Sequence, residues 1–141
     1  MLLSIPVSVV TFNAAKDWHD GRSSVLQRDI YEGENFEVVN CDAKRLDNFL
    51  SQAGVEEVDI FKLDVEGYAQ QVLEGLGTHI QKIKCIQVET EYGQMWDDQV
   101  VALDTYRFLE AAGFSCIWRT NVANLQDDSL WVRNDLIESV Q

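Results

Sequence analysis

The sequence predicts an α/β domain built on a largely parallel sheet, and two observations carry that reading. Short β-rich runs alternate with stretches of helical period along most of the chain, the pattern of βαβ units joined by right-handed crossovers. The 141 residues, 46% of them hydrophobic, suit a single core, and no repeat, low-complexity tract or Pro/Gly-rich linker divides them.

Taken in order, Val7 to Phe12 reads as a β-branched strand, and Lys16 to Gly21 after it is dense in turn formers. Ser24 to Gln27 reads as a short strand and Phe36 to Asn40 as a better one. From Asp42, placed to act as a cap, the period becomes helical: Leu46, Phe49, Leu50 and Ala53 fall at i, i+3, i+4 and i+7, with Gly54 as the stop. Val58 to Leu63 is a strand that runs into Asp64-Val65-Glu66-Gly67, after which Tyr68, Val72, Leu73, Leu76 and Ile80 mark one amphipathic helix. Cys85 to Val88 is the next strand and leads into Glu89-Thr90-Glu91-Tyr92-Gly93. Asp97 or Asp98 is placed to cap a helix with Val101, Thr105, Phe108, Leu109 and Ala112 on one face and Gly113 as its stop. Phe114 to Trp118 and Leu130 to Val132 complete the strands.

Eleven basic against 24 acidic residues leave a net charge of −13, a field that repels phosphate backbones and anionic membranes, so neither nucleic acid nor a membrane surface is an expected partner. Cys41, Cys85 and Cys116 are odd in number, show no C-x-x-C spacing and lie in apolar runs, which predicts buried free thiols in a reducing, cytoplasmic setting. The apolar opening, Met1 to Phe12, has no basic flank and is too short to span a membrane; it reads as a strand, not a signal.

In open parallel sheets the ligand crevice lies beyond the carboxyl ends of the strands, which selects two acidic clusters. Asp64 and Glu66 end one strand and Glu89 and Glu91 the next. Parallel neighbours lie ~4.8 Å apart, close enough for Asp64 and Glu89 to face one crevice. Packed acids must be solvated, hydrogen-bonded, partly protonated or bound to a cation, conditions that a functional crevice supplies. Lys62, two residues before Asp64, shares its face and is placed to pair with the acids. Gly67 suits a strand-to-helix turn near a ligand, and equally a tight turn without one. The competing structural reading makes Asp64 the cap of the next helix and leaves Glu89 and Glu91 as solvated loop acids. His19 and His79 form no metal-ligand spacing or nucleophile partnership, and the chain holds no G-x-S-x-G, H-E-x-x-H, P-loop or G-x-G-x-x-G.

The run Val58-Asp59-Ile60-Phe61-Lys62-Leu63-Asp64-Val65-Glu66-Gly67-Tyr68, followed by Val72-Leu73-Glu74-Gly75, closely resembles the FkbM-type S-adenosylmethionine-dependent methyltransferases. Leu46-Asp47-Asn48-Phe49-Leu50 before it, and Ile86-Gln87-Val88-Glu89 and Ala111-Ala112-Gly113-Phe114 after it, continue the family's pattern in order. Phe12-Asn13-Ala14-Ala15, with Asp17 and Gly21, is a weaker upstream match.

The resemblance implies a Rossmann-like methyltransferase sheet, mostly parallel and missing its first strands, with residues 1–141 as a single partial domain from the family's carboxyl-terminal part. It also implies S-adenosylmethionine as cofactor and the hydroxyl of a small molecule or sugar as methyl acceptor. Carried over residue by residue, Asp64 lies beside the transferring methyl, Glu66 and Glu89 are the other catalytic acids, and Asn13, Ala14 and Asp64 touch the cofactor. Two departures qualify this. Ala69 stands where the family commonly has a glutamate, and the family's glycine-rich loop and ribose-binding acid, expected before Val7, are not in the sequence. The cofactor site of this chain is therefore expected to be incomplete, and an edge left by missing strands is expected to favour homo-oligomers. The alternative is a non-catalytic binding or interaction domain derived from the same fold. A subordinate reading treats Asp64, Glu66, Glu89 and Glu91 as oxygen ligands for magnesium or calcium.

Overall fold

A computed structural model describes residues 8–16, 23–27, 36–120 and 125–138. Strands β1 (Ser8–Ala15) and β2 (Phe36–Ala43) form a two-stranded antiparallel sheet in register from Ser8↔Ala43 to Ala15↔Phe36. Ser24 to Gln27, expected to be a short strand, makes a single bridge instead: Asn13 and Ser24 exchange backbone hydrogen bonds of 2.8 and 3.1 Å.

Helix α1 (Leu46–Gln52) begins later than its pattern suggested, with Arg45 at the N-cap position and no side-chain cap. Asp42 is not the cap, because pairing with Val9 keeps it extended within β2. Leu50 is buried and Leu46 packs against the core, whereas Phe49 is 51% exposed, so the apolar stripe is narrower than predicted. Gly54, at φ 65°, ends the helix as expected.

Strand β3 (Val58–Leu63) has its predicted bounds. The single helix expected after it is two pieces, α2 (Ala69–Glu74) and a 3₁₀ helix (Gly77–Lys82). Gly77 adopts φ 51°, and the Gly75 carbonyl accepts the Asp47 N–H of α1 at 2.9 Å, so the backbone turns away from an α-helical path there. The apolar spacing survives the break, since Leu73, Leu76 and Ile80 are all buried.

Strand β4 (Ile83–Glu91) outruns its prediction at both ends. Helix α3 (Ala102–Ala111) follows Val101, and neither Asp97 nor Asp98 caps it: Asp98 sits at φ 57° and the Asp97 N–H bonds to the Gln27 carbonyl. Strands β5 (Phe114–Arg119) and β6 (Gln126–Arg133) and the short helix α4 (Asn134–Glu138) end the described chain.

The main sheet has the order β3-β4-β6-β5. Only β3 and β4 pair in parallel; β6 is antiparallel to both β4 and β5, which corrects the expectation of a mostly parallel sheet. The two βαβ connections that the alternating pattern announced, through α2 and through α3, are both present. Between β5 and β6, however, only residues 120–125 intervene, too few for a crossover, so the two strands can pair only in antiparallel fashion. The returning β6 inserts between β4 and β5, so β3, β4 and β5 share a direction that their direct pairings conceal.

One face of the sheet, through Leu63, Ile86, Val88, Phe114 and Trp131, meets Leu73, Leu76 and Leu109 in the core. Each such side chain contributes roughly 1.5–3 kcal/mol by leaving water. The cysteines are free but not buried as predicted: Cys41 and Cys116 are exposed and Cys85 is intermediate. Cys41 lies in the two-stranded sheet, and on edge strand β5 only Phe114 is buried. Among the described residues no helix is long and apolar enough to cross a membrane.

Candidate functional site: acids at the carboxyl ends of β3 and β4

The parallel register pairs Leu63 with Val88, so Asp64, just past the end of β3, stands beside Glu89, which β4 still carries in register with Asp128 of β6. Carboxylate oxygens of Asp64, Glu66 and Glu89 all lie within 4.8 Å of one another. Lys62 Nζ donates to Asp64 Oδ2 at 3.0 Å, the pairing that strand alternation predicted. Asp64 does not cap α2, whose N-cap position is Tyr68 with no side-chain hydrogen bond.

Glu66 joins the cluster because the chain doubles back after β3 through two consecutive left-handed residues, Glu66 at φ 47° and Gly67 at φ 85°. A non-glycine residue in that region costs about 1–2 kcal/mol, and such conformations gather at functional sites. The turn is supported from outside: Ser24 Oγ donates to the Glu66 carbonyl at 2.7 Å, and Trp96 lies so close to Gly67 that a Cβ there would stand 2.5 Å from its Cδ1.

Burial first, then the charges of Asp64 and Asp128, push the Glu89 carboxyl above the ordinary range, against a hydrogen bond from Gln126 and the charge of Lys62. Glu91 is pushed up to about 7, mainly by burial and then by Glu89 and Glu66, although Gln99 Nε2 donates to its Oε2 at 2.6 Å. The hydrogen bond and charge of Asp64 raise the Lys62 ammonium. Three converging carboxylates, with the proton affinity of Glu89 raised, can accept a hydrogen bond from a hydroxyl, take up its proton, or face a cationic group.

Asn13 and Ala14 lie on β1. The Asn13 side-chain amide donates to the Leu26 carbonyl at 3.0 Å, and Ser24, bridged to its backbone, is what joins it to the acid turn. Ala14 is partly buried. Asp17, His19 and Gly21 lie outside the described residues. His79 is remote from the acids in role, with Nε2 2.9 Å from Ser51 Oγ. A cavity of about 460 Å³ between β1, α1 and α2 is lined by Val10, Val25, Leu46, Tyr68, Gln71 and Val72, and Tyr68 connects it to the acid turn.

Sequence reasoning missed a polar network at the same end of the sheet. Asp127, 3% exposed, accepts from Tyr106 at 2.6 Å, Thr90 at 3.0 Å and Tyr92 at 2.9 Å, with Arg119 Nε 3.8 Å away. Arg119 also lies 5.6 Å over the Tyr106 ring, and burial, then the bond to Asp127, raises the Tyr106 phenol. Thr90 and Asp127 meet because they are register partners, a fact that only the strand order supplies.

The family described as Methyltransferase FkbM domain matches residues 4–116, which include both acid-bearing strand ends. No curated protein and no solved structure matches the chain.

Proposed function

Because the chain belongs to the FkbM methyltransferase family, we propose that it works in S-adenosylmethionine-dependent O-methylation of a small-molecule or sugar hydroxyl. The observation that carries the reading is the convergence of Asp64, Glu66 and Glu89 within 4.8 Å at the carboxyl ends of two parallel strands. That concentration of negative charge fits a cationic sulfonium cofactor. When bound, the cofactor supplies an electrophilic methyl group open to in-line displacement.

Glu89, with its raised proton affinity, is suited to take the proton of an acceptor hydroxyl. Asp64, tied to Lys62, orients that hydroxyl and holds negative charge toward the cofactor. Glu66 completes the wall from the left-handed turn. Asn13 and Ala14 would border the cofactor from β1, with Ser24 fixing their strand to the turn. The common direction of β3, β4 and β5, with helices in both crossovers, supports a Rossmann-like sheet. Three free thiols suit a cytoplasmic setting. Self-association along β3, where Ile60 is 69% exposed, is tested by sedimentation over a wide concentration range; a monomer throughout rejects it.

The functional test is transfer of a labelled methyl from S-adenosylmethionine to a panel of hydroxylated small molecules and sugars, comparing the wild type with Asp64→Asn. Transfer by the wild type alone supports the assignment, and equal transfer by both removes Asp64 from the site.

A further inference from the structure

The loop after β4 is organised around one buried side chain. Gln99, 7% exposed, accepts the backbone N–H groups of Met95 and Trp96 on its Oε1 at 2.8 and 3.1 Å, and donates from Nε2 to Glu91 Oε2 at 2.6 Å. The amide is thus fixed at both ends, to the loop it gathers and to the last residue of β4. Glu91 is 4% exposed, so this hydrogen bond is shielded from competing water.

What the loop carries is Trp96, 2% exposed, whose indole fills the space that a side chain at Gly67 would need. Gly67 and Glu66 form the left-handed turn that turns the Glu66 carboxylate toward Asp64 and Glu89. The segment 23–27 grips both partners from the other side, since Gln27 accepts the Asp97 N–H at 2.6 Å and Ser24 bonds to the Glu66 carbonyl. A turn with an unfavourable backbone conformation persists only where its surroundings hold it.

We propose that Glu91 is a positioning residue: through Gln99 it seats Trp96 on Gly67 and thereby holds the turn that places Glu66 beside Asp64 and Glu89. The functional meaning rests on the proposed methyl-transfer site, but the coupling from residue 91 to the turn does not require transfer. The groups that face Glu91 are the carboxylates of Glu89 and Glu66 and the Gln99 amide. The role needs an acceptor at position 91 and not a charge, so glutamine can fill it and alanine cannot.

The test uses proton–nitrogen NMR spectra of the full chain, following the Trp96 indole and the amides of Glu66, Gly67 and Tyr68. The Trp131 indole, which bonds to Ser129 Oγ at 2.9 Å in the core, is the internal reference. Glu91→Ala should shift or broaden the Trp96 and turn resonances while leaving Trp131 in place, and Glu91→Gln should restore the Trp96 resonance. Turn amides that stay put while Trp96 moves would overturn the inference, as would a shift of Trp131 of the same size or a failure of glutamine to rescue. Should Glu91→Ala not fold, Gln99→Met, similar in volume and unable to make the bonds, is read by the same resonances. A wild type that transfers no methyl, with the expected shifts in Glu91→Ala, would sink the methyl-transfer reading alone, and an active wild type with an unmoved turn in Glu91→Ala would sink this inference alone.

Discussion

Replacing Glu91 with glutamine should make the domain more stable above neutrality and leave it little changed in acid. The carboxyl is buried and shares its surroundings with Glu89 and Glu66, and its pKa is raised from 4.5 to about 7. For a group whose folded pKa is raised, the stabilising contribution of protonation is fully present below the unfolded value and is lost as pH rises through the folded one. The penalty in the wild type therefore develops between about pH 4.5 and pH 7 and is complete above that. At 1.36 kcal/mol per pH unit it reaches about 3 kcal/mol. Glutamine keeps the shape and the acceptor for Gln99 but has no charge to bury, so it escapes the penalty. The assay is urea denaturation of both proteins at pH 4 and pH 8, with the slope of free energy on denaturant checked for equality. The stability difference should lie within about 1 kcal/mol of zero at pH 4 and favour the variant by roughly 2–3 kcal/mol at pH 8. A difference independent of pH would refute the reasoning, because it would mean that Glu91 titrates alike in the folded and unfolded states.

Three further outcomes are expected. Gly67→Ala combines a left-handed backbone with a Cβ 2.5 Å from Trp96 and should cost about 2–5 kcal/mol by denaturation; in a Trp96→Ala background the cost should fall by about 1 kcal/mol or more, and strict additivity would show that the indole contact is not the cause. Asp64→Asn loses only an ion pair whose members are 57% and 49% exposed, so stability should change by less than about 1 kcal/mol while methyl transfer is abolished; unfolding of this variant would mark Asp64 as structural. Asp127→Ala removes the acceptor shared by Thr90, Tyr92 and Tyr106, leaving Thr90 and Tyr106 to each other at 2.9 Å, and should destabilise by about 2–3 kcal/mol, with Asp127→Asn milder; a neutral alanine variant in the same melts would show that water satisfies the network instead.

The residues themselves determined every local element whose signal is local. β3 has its predicted bounds because an apolar run ends at an acidic turn, and Gly54 and Gly113 stop their helices because each adopts a positive φ that other residues resist. The same logic put Asp64 just past β3 beside Glu89 and Lys62 on the face of Asp64, where the structure has them, although β4 runs on past Glu89 to Glu91. What failed depended on partners far away in sequence. Asp42 stays in a strand because Val9 pairs with it, and the helix after Gly67 breaks where Asp47 bonds to Gly75. The expectation of buried cysteines failed because an apolar run does not reveal which of its faces another element covers: Cys41 and Cys116 are exposed and Cys85 is half-buried. Strand direction is the clearest case. Helical crossovers are written in the sequence as a change of period, whereas the insertion of β6 between β4 and β5 is chosen by which edges remain to be paired, and no local pattern encodes that choice. The Asp127 network exists only through that insertion, and Gln99 and Trp96 become part of the acid turn's support only when a loop from β4 closes over Gly67. Chain-local chemistry thus decided which groups stand at the end of the sheet, and long-range packing, which rewards burial and complete hydrogen bonding over the whole domain, decided how they are held.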